Sequence, residues 1–166
     1  MTDDEGYTLG FVYDDFDRVI RTIQYEWCRC GALRKLIDAK NQITQWKYDV
    51  QDRPVKKIYP DGSEETWEYS SGVGRLTRTV ARNGQPTTYD YYLDGALKSI
   101  SYPVTAGIPE TPGVSFTYDA EYGRQATMTD GIGTTTYAYH PIGGLGSGRL
   151  ASVDGPWQND TVTYGY

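Results

Sequence analysis

Three aspartates, Asp14, Asp49 and Asp119, recur at one position of a repeating pattern, each directly behind a tyrosine. Paired carboxylates can serve as acid and base, as in glycoside hydrolysis, but that chemistry needs two of them converging on one cleft. A carboxylate that returns repeat after repeat offers no unique pair. Behind a strand the same side chain forms a turn by capping the backbone amide two residues on, and that is the role expected here. His140 is the only histidine. It takes the place of the repeat's aspartate, just before Pro141, and the sequence nominates no nucleophile or orienting group for it to serve.

Cys28 and Cys30 form a lone Cys-x-Cys. On an extended strand their Cα atoms would lie about 6.5–7 Å apart, a poor span for a mutual disulfide. They are weak metal candidates, because a zinc site takes four ligands, although two chains together could complete a four-thiolate set. The stretch GGLGSG (143–148) imitates a phosphate loop but lacks the Lys-Ser/Thr and the helix that would make it one. The expectation is therefore a non-enzyme with no catalytic residue, no cofactor and no resident metal.

What positions these residues is a repeat. Aromatic-x-aromatic pairs stand at Phe11/Tyr13, Tyr25/Trp27, Trp46/Tyr48, Trp67/Tyr69, Tyr89/Tyr91, Phe116/Tyr118, Tyr137/Tyr139 and Tyr164/Tyr166. Their spacings are 14, 21, 21, 22, 27, 21 and 27 residues. Both longer intervals contain a Gly/Pro-rich insertion, at 103–113 and at 141–148, as repeats do where they absorb extra length. Each period holds two short runs and two turns. One turn follows the aromatic pair and ends in arginine, as in DVQDR (49–53) and DAEYGR (119–124). The other is built on Asp-Gly or Asn-Gly, as at Asp61-Gly62 and Asp94-Gly95, which supply the positive φ of tight hairpins.

These features predict an all-β chain, an antiparallel meander of about 14 strands of five to eight residues. No segment shows a 3.6-residue apolar period. Side chains alternate between faces with period two, so the rings should line one face as a structural ladder. Its members would be Phe11, Tyr13, Trp46, Tyr48, Trp67, Tyr69, Tyr89, Tyr91, Phe116, Tyr118, Tyr137, Tyr139, Tyr164 and Tyr166. With Asp61-Gly62 read as a two-residue loop, Ile58 and Lys56 share the face of Trp67 and Tyr69. With Asp94-Gly95 read likewise, Ile100 stands opposite Tyr89. A ribbon of this many strands is about 65 Å wide, and open sheets seldom exceed about ten strands without curling. It must curl, continue into further repeats, or pair with another chain, since its edges and aromatic face are otherwise uncovered.

Composition agrees. Leu, Ile, Val and Phe number only 30 of 166 residues, but 16 Tyr and 4 Trp supply apolar surface, each large ring about 150–250 Å² of it. A net charge of −6 repels phosphate backbones and anionic membranes, so nucleic acid is not an expected partner. No apolar run reaches the roughly 18 residues of a membrane span. The segment MTDDEGYT (1–8) has neither the basic nor the apolar region of a secretion signal. Residues 1–6 read as a tail and 7–166 as a single repeat array, irregular at 14–33.

Tyr-Asp, a Gly-Arg turn, a strand, Asp-Gly and a strand returning to Tyr-x-Tyr resemble the YD-repeat or RHS (rearrangement hot spot) family. That family includes bacterial Rhs and Tc toxin components and teneurin extracellular regions. The likeness covers residues 7 to 166, most closely YDVQDRPVKKIYPDGSEETWEY (48–69) and YDAEYGRQATMTDGIGTTTYAY (118–139). WCRCGALRKLIDAKNQITQWKYD (27–49) resembles a Cys-x-Cys-Gly variant. The resemblance implies a non-catalytic β-strip that spirals into a hollow shell, secreted or at the cell surface, enclosing or presenting other polypeptide. Its partners would be further repeats, an enclosed cargo, or copies of itself. The chain is too short to close a shell and carries nothing like the family's self-cleaving aspartate site. The short interval from Phe11 to Tyr25 implies an irregular or fused strand at Val19 to Trp27. A different function remains open, in which the aromatic face binds glycans or a partner protein.

Overall fold

The computed structural model describes residues 7–166, so the expected tail at 1–6 lies outside the described residues. Those residues form fourteen strands and no helix. They fall into two compact units that divide between Gln85 and Pro86. The first unit holds β1 (Tyr7–Tyr13), β2 (Val19–Trp27), β3 (Leu33–Ile37), β4 (Ile43–Tyr48), β5 (Pro54–Ile58), β6 (Glu64–Tyr69) and β7 (Leu76–Val80). The second holds β8 (Pro86–Tyr91), β9 (Leu97–Ser101), β10 (Val114–Tyr118), β11 (Gln125–Thr129), β12 (Thr134–Tyr139), β13 (Leu150–Asp154) and β14 (Val162–Thr163). Within each unit, strands adjacent in sequence pair antiparallel.

A strand face shows in the burial. In β4, Thr44, Trp46 and Tyr48 are half-buried while Ile43, Gln45 and Lys47 are exposed. β10 and β12 alternate in the same way, with Phe116, Tyr118, Tyr137 and Tyr139 on the covered side. Across the ladder the first ring of each pair meets mainly aliphatic or small neighbours: Tyr25 opposite Leu36, Trp67 opposite Thr79, Tyr89 opposite Ile100, Phe116 opposite Met128, Tyr137 opposite Val153. Such cross-strand pairs contribute about 0.2–1 kcal/mol each. Among the described residues none is fully buried. The half-buried rings are covered by their strand neighbours along the sheet.

A β-bulge recurs at one end of the hairpins, opposite the residue before the turn. The register skips a residue where Tyr13 meets Val19, Trp27 meets Leu33, Tyr48 meets Pro54, and Tyr69 meets Leu76. It does so again where Tyr91 meets Leu97, Tyr118 meets Gln125, and Tyr139 meets Leu150. Each bulge adds local right-handed twist.

The bulge and the turns together correct the expected register. The loops at Asp61-Gly62 and Asp94-Gly95 span three residues, not two. At Asp61-Gly62, Tyr59 N donates to Ser63 O at 2.9 Å and Gly62 sits at φ 82°, a type I turn closed by a left-handed glycine. That shifts the pairing by one, so Ile58 faces Glu64 and Lys57 faces Glu65. Ile58 and Lys56 therefore lie on the face opposite Trp67, where Lys56 pairs with Glu64 at 2.6 Å. Lys57 takes the aromatic side, 5.6 Å from the Trp46 ring and 4.4 Å from that of Tyr59. Around Asp94-Gly95 the loop makes the same one-residue shift. There the bulge at Tyr91 reverses it, and Ile100 does stand opposite Tyr89.

β2 occupies the stretch expected to be irregular or fused, and it is irregular: β1 pairs along it from Val19 to Glu26 and β3 from Gln24 to Trp27, with a bulge on each side. Because β1 is its immediate neighbour, Gly10 faces Ile23 and Phe11 faces Thr22. Phe11 and Tyr13 consequently sit on the face opposite Tyr25 and Trp46, tilted against each other with ring centroids 6.3 Å apart, and they do not belong to the ladder. The insertions at 103–113 and 141–148 are loops without strand structure.

Candidate functional site

The residues that carry distinctive chemistry gather at the turns behind the tyrosines. Asp14 Oδ1 accepts the amides of Phe16 and Arg18, both at 3.0 Å. Asp38 Oδ1 accepts those of Lys40 at 2.8 Å and Gln42 at 2.9 Å. Asp49 Oδ1 accepts those of Gln51 at 2.9 Å and Arg53 at 3.0 Å. Asp119 reaches the Tyr122 amide at 2.6 Å. The second oxygen takes the arginine that ends the turn: Arg18, Arg53 and Arg124 each place Nε 2.8 Å from it. Asp14, Asp49 and Asp119 thus have both carboxylate oxygens engaged.

That arginine also reaches into the next repeat. Arg53 donates from Nη1 to Gly74 O at 2.9 Å and lies 4.2 Å over the Tyr69 ring. Arg124 lies 4.5 Å over Tyr139, and Arg149 lies 4.9 Å over Tyr166. On the first unit's opposite turns, Arg82 binds Asp61, donates to Ser63 Oγ at 2.8 Å and lies 4.4 Å over Tyr59.

Tyrosine hydroxyls complete the lacing, a feature the aromatic spacing alone did not reveal. Tyr48 donates to Leu33 O at 2.7 Å, Tyr69 to Pro54 O at 3.0 Å, Tyr118 to Leu97 O at 2.9 Å and Tyr139 to Gln125 O at 2.9 Å. Each acceptor is the residue opposite the bulge of the preceding pair. The signal for it was the recurrence of Tyr as the second ring of seven of the eight pairs, where Phe would have served packing alone. We expect Tyr118→Phe to lower stability by about 1 kcal/mol, read from urea unfolding; no change would reduce the hydroxyl to a spectator.

Arginine contacts hold Asp14, Asp49 and Asp119 below the usual carboxylate range. The bonds from Ser63 and Arg82 do the same to Asp61. Burial raises the Tyr48, Tyr69 and Tyr118 hydroxyls. A depressed acid contributes stability that is present above its unfolded value near pH 4 and lost as pH falls through the folded one. A raised tyrosine contributes stability that is present below about pH 10 and lost above it. Thermal midpoints are expected to plateau between these limits and drop on both sides. Asp49→Asn should shrink the acid-side drop, and an unchanged acid limb would refute the assignment.

His140 occupies an aspartate's turn position, its amide donating to Arg149 O at 2.8 Å. Its Nε2 lies 3.0 Å from Tyr164 O and its ring packs edge-on to Tyr166 at 5.5 Å. Tyr164 and Tyr166 follow β14 as a short extension, so this last pair is tied by a loop contact. Cys28 and Cys30 overturn the expected geometry. They lie in a turn, not on a strand, with Cα atoms 5.1 Å apart, and are joined as a disulfide. Among the described residues no group of three or more metal-ligating side chains forms.

No protein-family model and no curated relative matches the chain. Solved structures do. A Tc holotoxin pore from Photorhabdus luminescens aligns at TM-score 0.59 and 16% identity, covering 91% of this chain and 9% of its own. A TcdB2–TccC3–Cdc42 structure aligns at 0.53 and 16%, covering 98% and 11%, and TcdB2–TccC3 at 0.52 and 16%, covering 98% and 12%. The fold is RHS-like. At this identity the likeness is one of fold alone, and the RHS-like chain spans about a tenth of the length of the structures it matches.

Proposed function

We propose that this chain is a structural, non-catalytic segment of a longer shell-type protein, secreted or displayed at the cell surface, that encloses or presents other polypeptide. One observation carries the reading: a strand meander in which no described residue is fully buried aligns over nearly its whole length with a small part of a much larger Tc holotoxin structure. A single layer of rings needs neighbours, and further repeats, an enclosed polypeptide or copies of the chain would supply them. A non-catalytic role fits Asp14, Asp49 and Asp119, whose carboxylates are committed to turn amides and arginines.

Glycan binding by the aromatic face is the competing reading. Against it, Trp46, Tyr59, Tyr69 and Tyr139 already carry Lys or Arg over their rings, which leaves less free π-surface for a sugar. The test is to read and express the coding sequence on both sides. The expected product adds Tyr-Asp turns near the 21-residue period and forms a hollow particle by electron microscopy, with polypeptide inside it protected from protease. Flanks without such repeats overturn the proposal. Glycan-array binding abolished by Trp67→Ala in a folded protein would replace it with the binding module.

A further inference from the structure

The turn between β2 and β3 puts a sulfur where its sister turns put a carboxylate. Cys28 follows Trp27 as Asp49 follows Tyr48. Its Sγ accepts the amides two and four residues on, from Cys30 and Ala32, both at 3.2 Å. Asp14, Asp38 and Asp49 accept the same two amides with an anionic oxygen. The cradle around Cys28 is therefore one that three other turns use to hold a negative charge.

The disulfide is not what holds this turn. A cross-link over one intervening residue constrains the unfolded chain little, since that effect grows with the loop enclosed. The turn has its own backbone bonds, Cys28 N to Ala32 O and Gly31 N to Cys28 O, both 2.9 Å. Cys28 is half-buried and Cys30 exposed. A hollow of about 490 Å³ opens on the pair, with Arg34 and Lys47 as its cations, Trp46 and Tyr48 among its walls, and Asp49 and Asp52 also lining it.

We propose that Cys28 and Cys30 are a redox site that exchanges with low-molecular-weight thiols and disulfides. A thiolate attacks the exposed Cys30 Sγ, forming a mixed disulfide there. The Cys28–Cys30 bond breaks and its electron pair leaves on Cys28 Sγ, where the Cys30 and Ala32 amides receive it as they receive a carboxylate elsewhere. The sulfur that leaves is the one better stabilised as an anion, which fixes the direction of attack. A second thiolate then attacks the small molecule's own sulfur in the mixed disulfide, releasing it as a symmetric disulfide. Cys30 departs as a thiolate and takes a proton from water. Two thiols are oxidised to one disulfide, and the protein disulfide is reduced to a dithiol by the same two electrons.

Reduced Cys30→Ser isolates Cys28 as the only thiol, and ultraviolet thiolate absorbance against pH reads its ionisation. We expect a midpoint at least about one unit below the free-cysteine value of about 8.5, with Cys30 in Cys28→Ser near that value. In buffers of reduced and oxidised glutathione, acid quenching and mass spectrometry of the natural chain should find the mixed disulfide on Cys30 at least about tenfold more often than on Cys28. Cys28→Asp restores the sister-turn residue, so it should keep the circular dichroism of the parent and lose the two-electron exchange. A Cys28 midpoint at or above the ordinary value, equal trapping on both sulfurs, or undiminished exchange in Cys28→Asp overturns the proposal.

Discussion

Arg53→Ala is expected to lower the free energy of unfolding by about 2 kcal/mol. The Arg53 side chain is 28% exposed, and its guanidinium makes charge-assisted bonds that are strong when partly shielded. Its removal deletes the paired contacts to Asp49, the bond to Gly74 O and the cation over Tyr69. For a chain of this length the melting midpoint should fall by about 4–8 °C. Arg53→Lys keeps the charge but not the fork, and should recover less than half of the loss. Gly74 offers an independent check. It sits at φ 69°, and a Cβ there would lie 2.5 Å from Arg53 Nη1. Gly74→Ala should therefore cost less in the Arg53→Ala background than in the natural chain, because the clash is gone and only backbone strain persists. Additive costs, or Arg53→Ala within about 0.5 kcal/mol of the parent, would show that the arginine is a surface group like any other.

The second large effect concerns the faces of one strand. Trp46→Ala should destabilise by about 2 kcal/mol, less than a fully buried tryptophan because the ring is only half-covered. Gln45→Ala, one residue away on the exposed side, should fall within about 0.5 kcal/mol of zero. Urea unfolding of both variants decides the matter. Similar losses at the two positions would mean that β4 has no packed side, and the ladder would cease to explain the spacing of the rings.

Much of this was legible because the repeat writes its turns in residue types that have few other uses. Tyr-Asp with a following Arg announced the capped turn, and the short interval between Phe11 and Tyr25 announced an irregularity around β2. What stayed hidden was set by backbone details that leave no mark in the side-chain code. A three-residue loop and a two-residue loop can share the same Asp-Gly, and the choice moved Ile58 and Lys56 to the other face. A bulge then cancelled the same error at Tyr89 and Ile100, so a correct pairing there arose from two compensating shifts. Phe11 and Tyr13 left the ladder because β1 neighbours β2 directly, a change of parity that counting aromatic pairs cannot see. Cys28 and Cys30 were misplaced for a simpler reason: the pair was read as extended, whereas Cys28 does an aspartate's work in a turn.

Consider last the reach of the lacing. The hydroxyl of Tyr69 stops at Pro54, the guanidinium of Arg53 at Gly74, and that of Arg82 at Asp61. No tie in this set spans more than a single module and its successor. A gene could therefore gain or lose whole modules by in-frame duplication or excision, and each new junction would find the grip it needs already encoded in its neighbour.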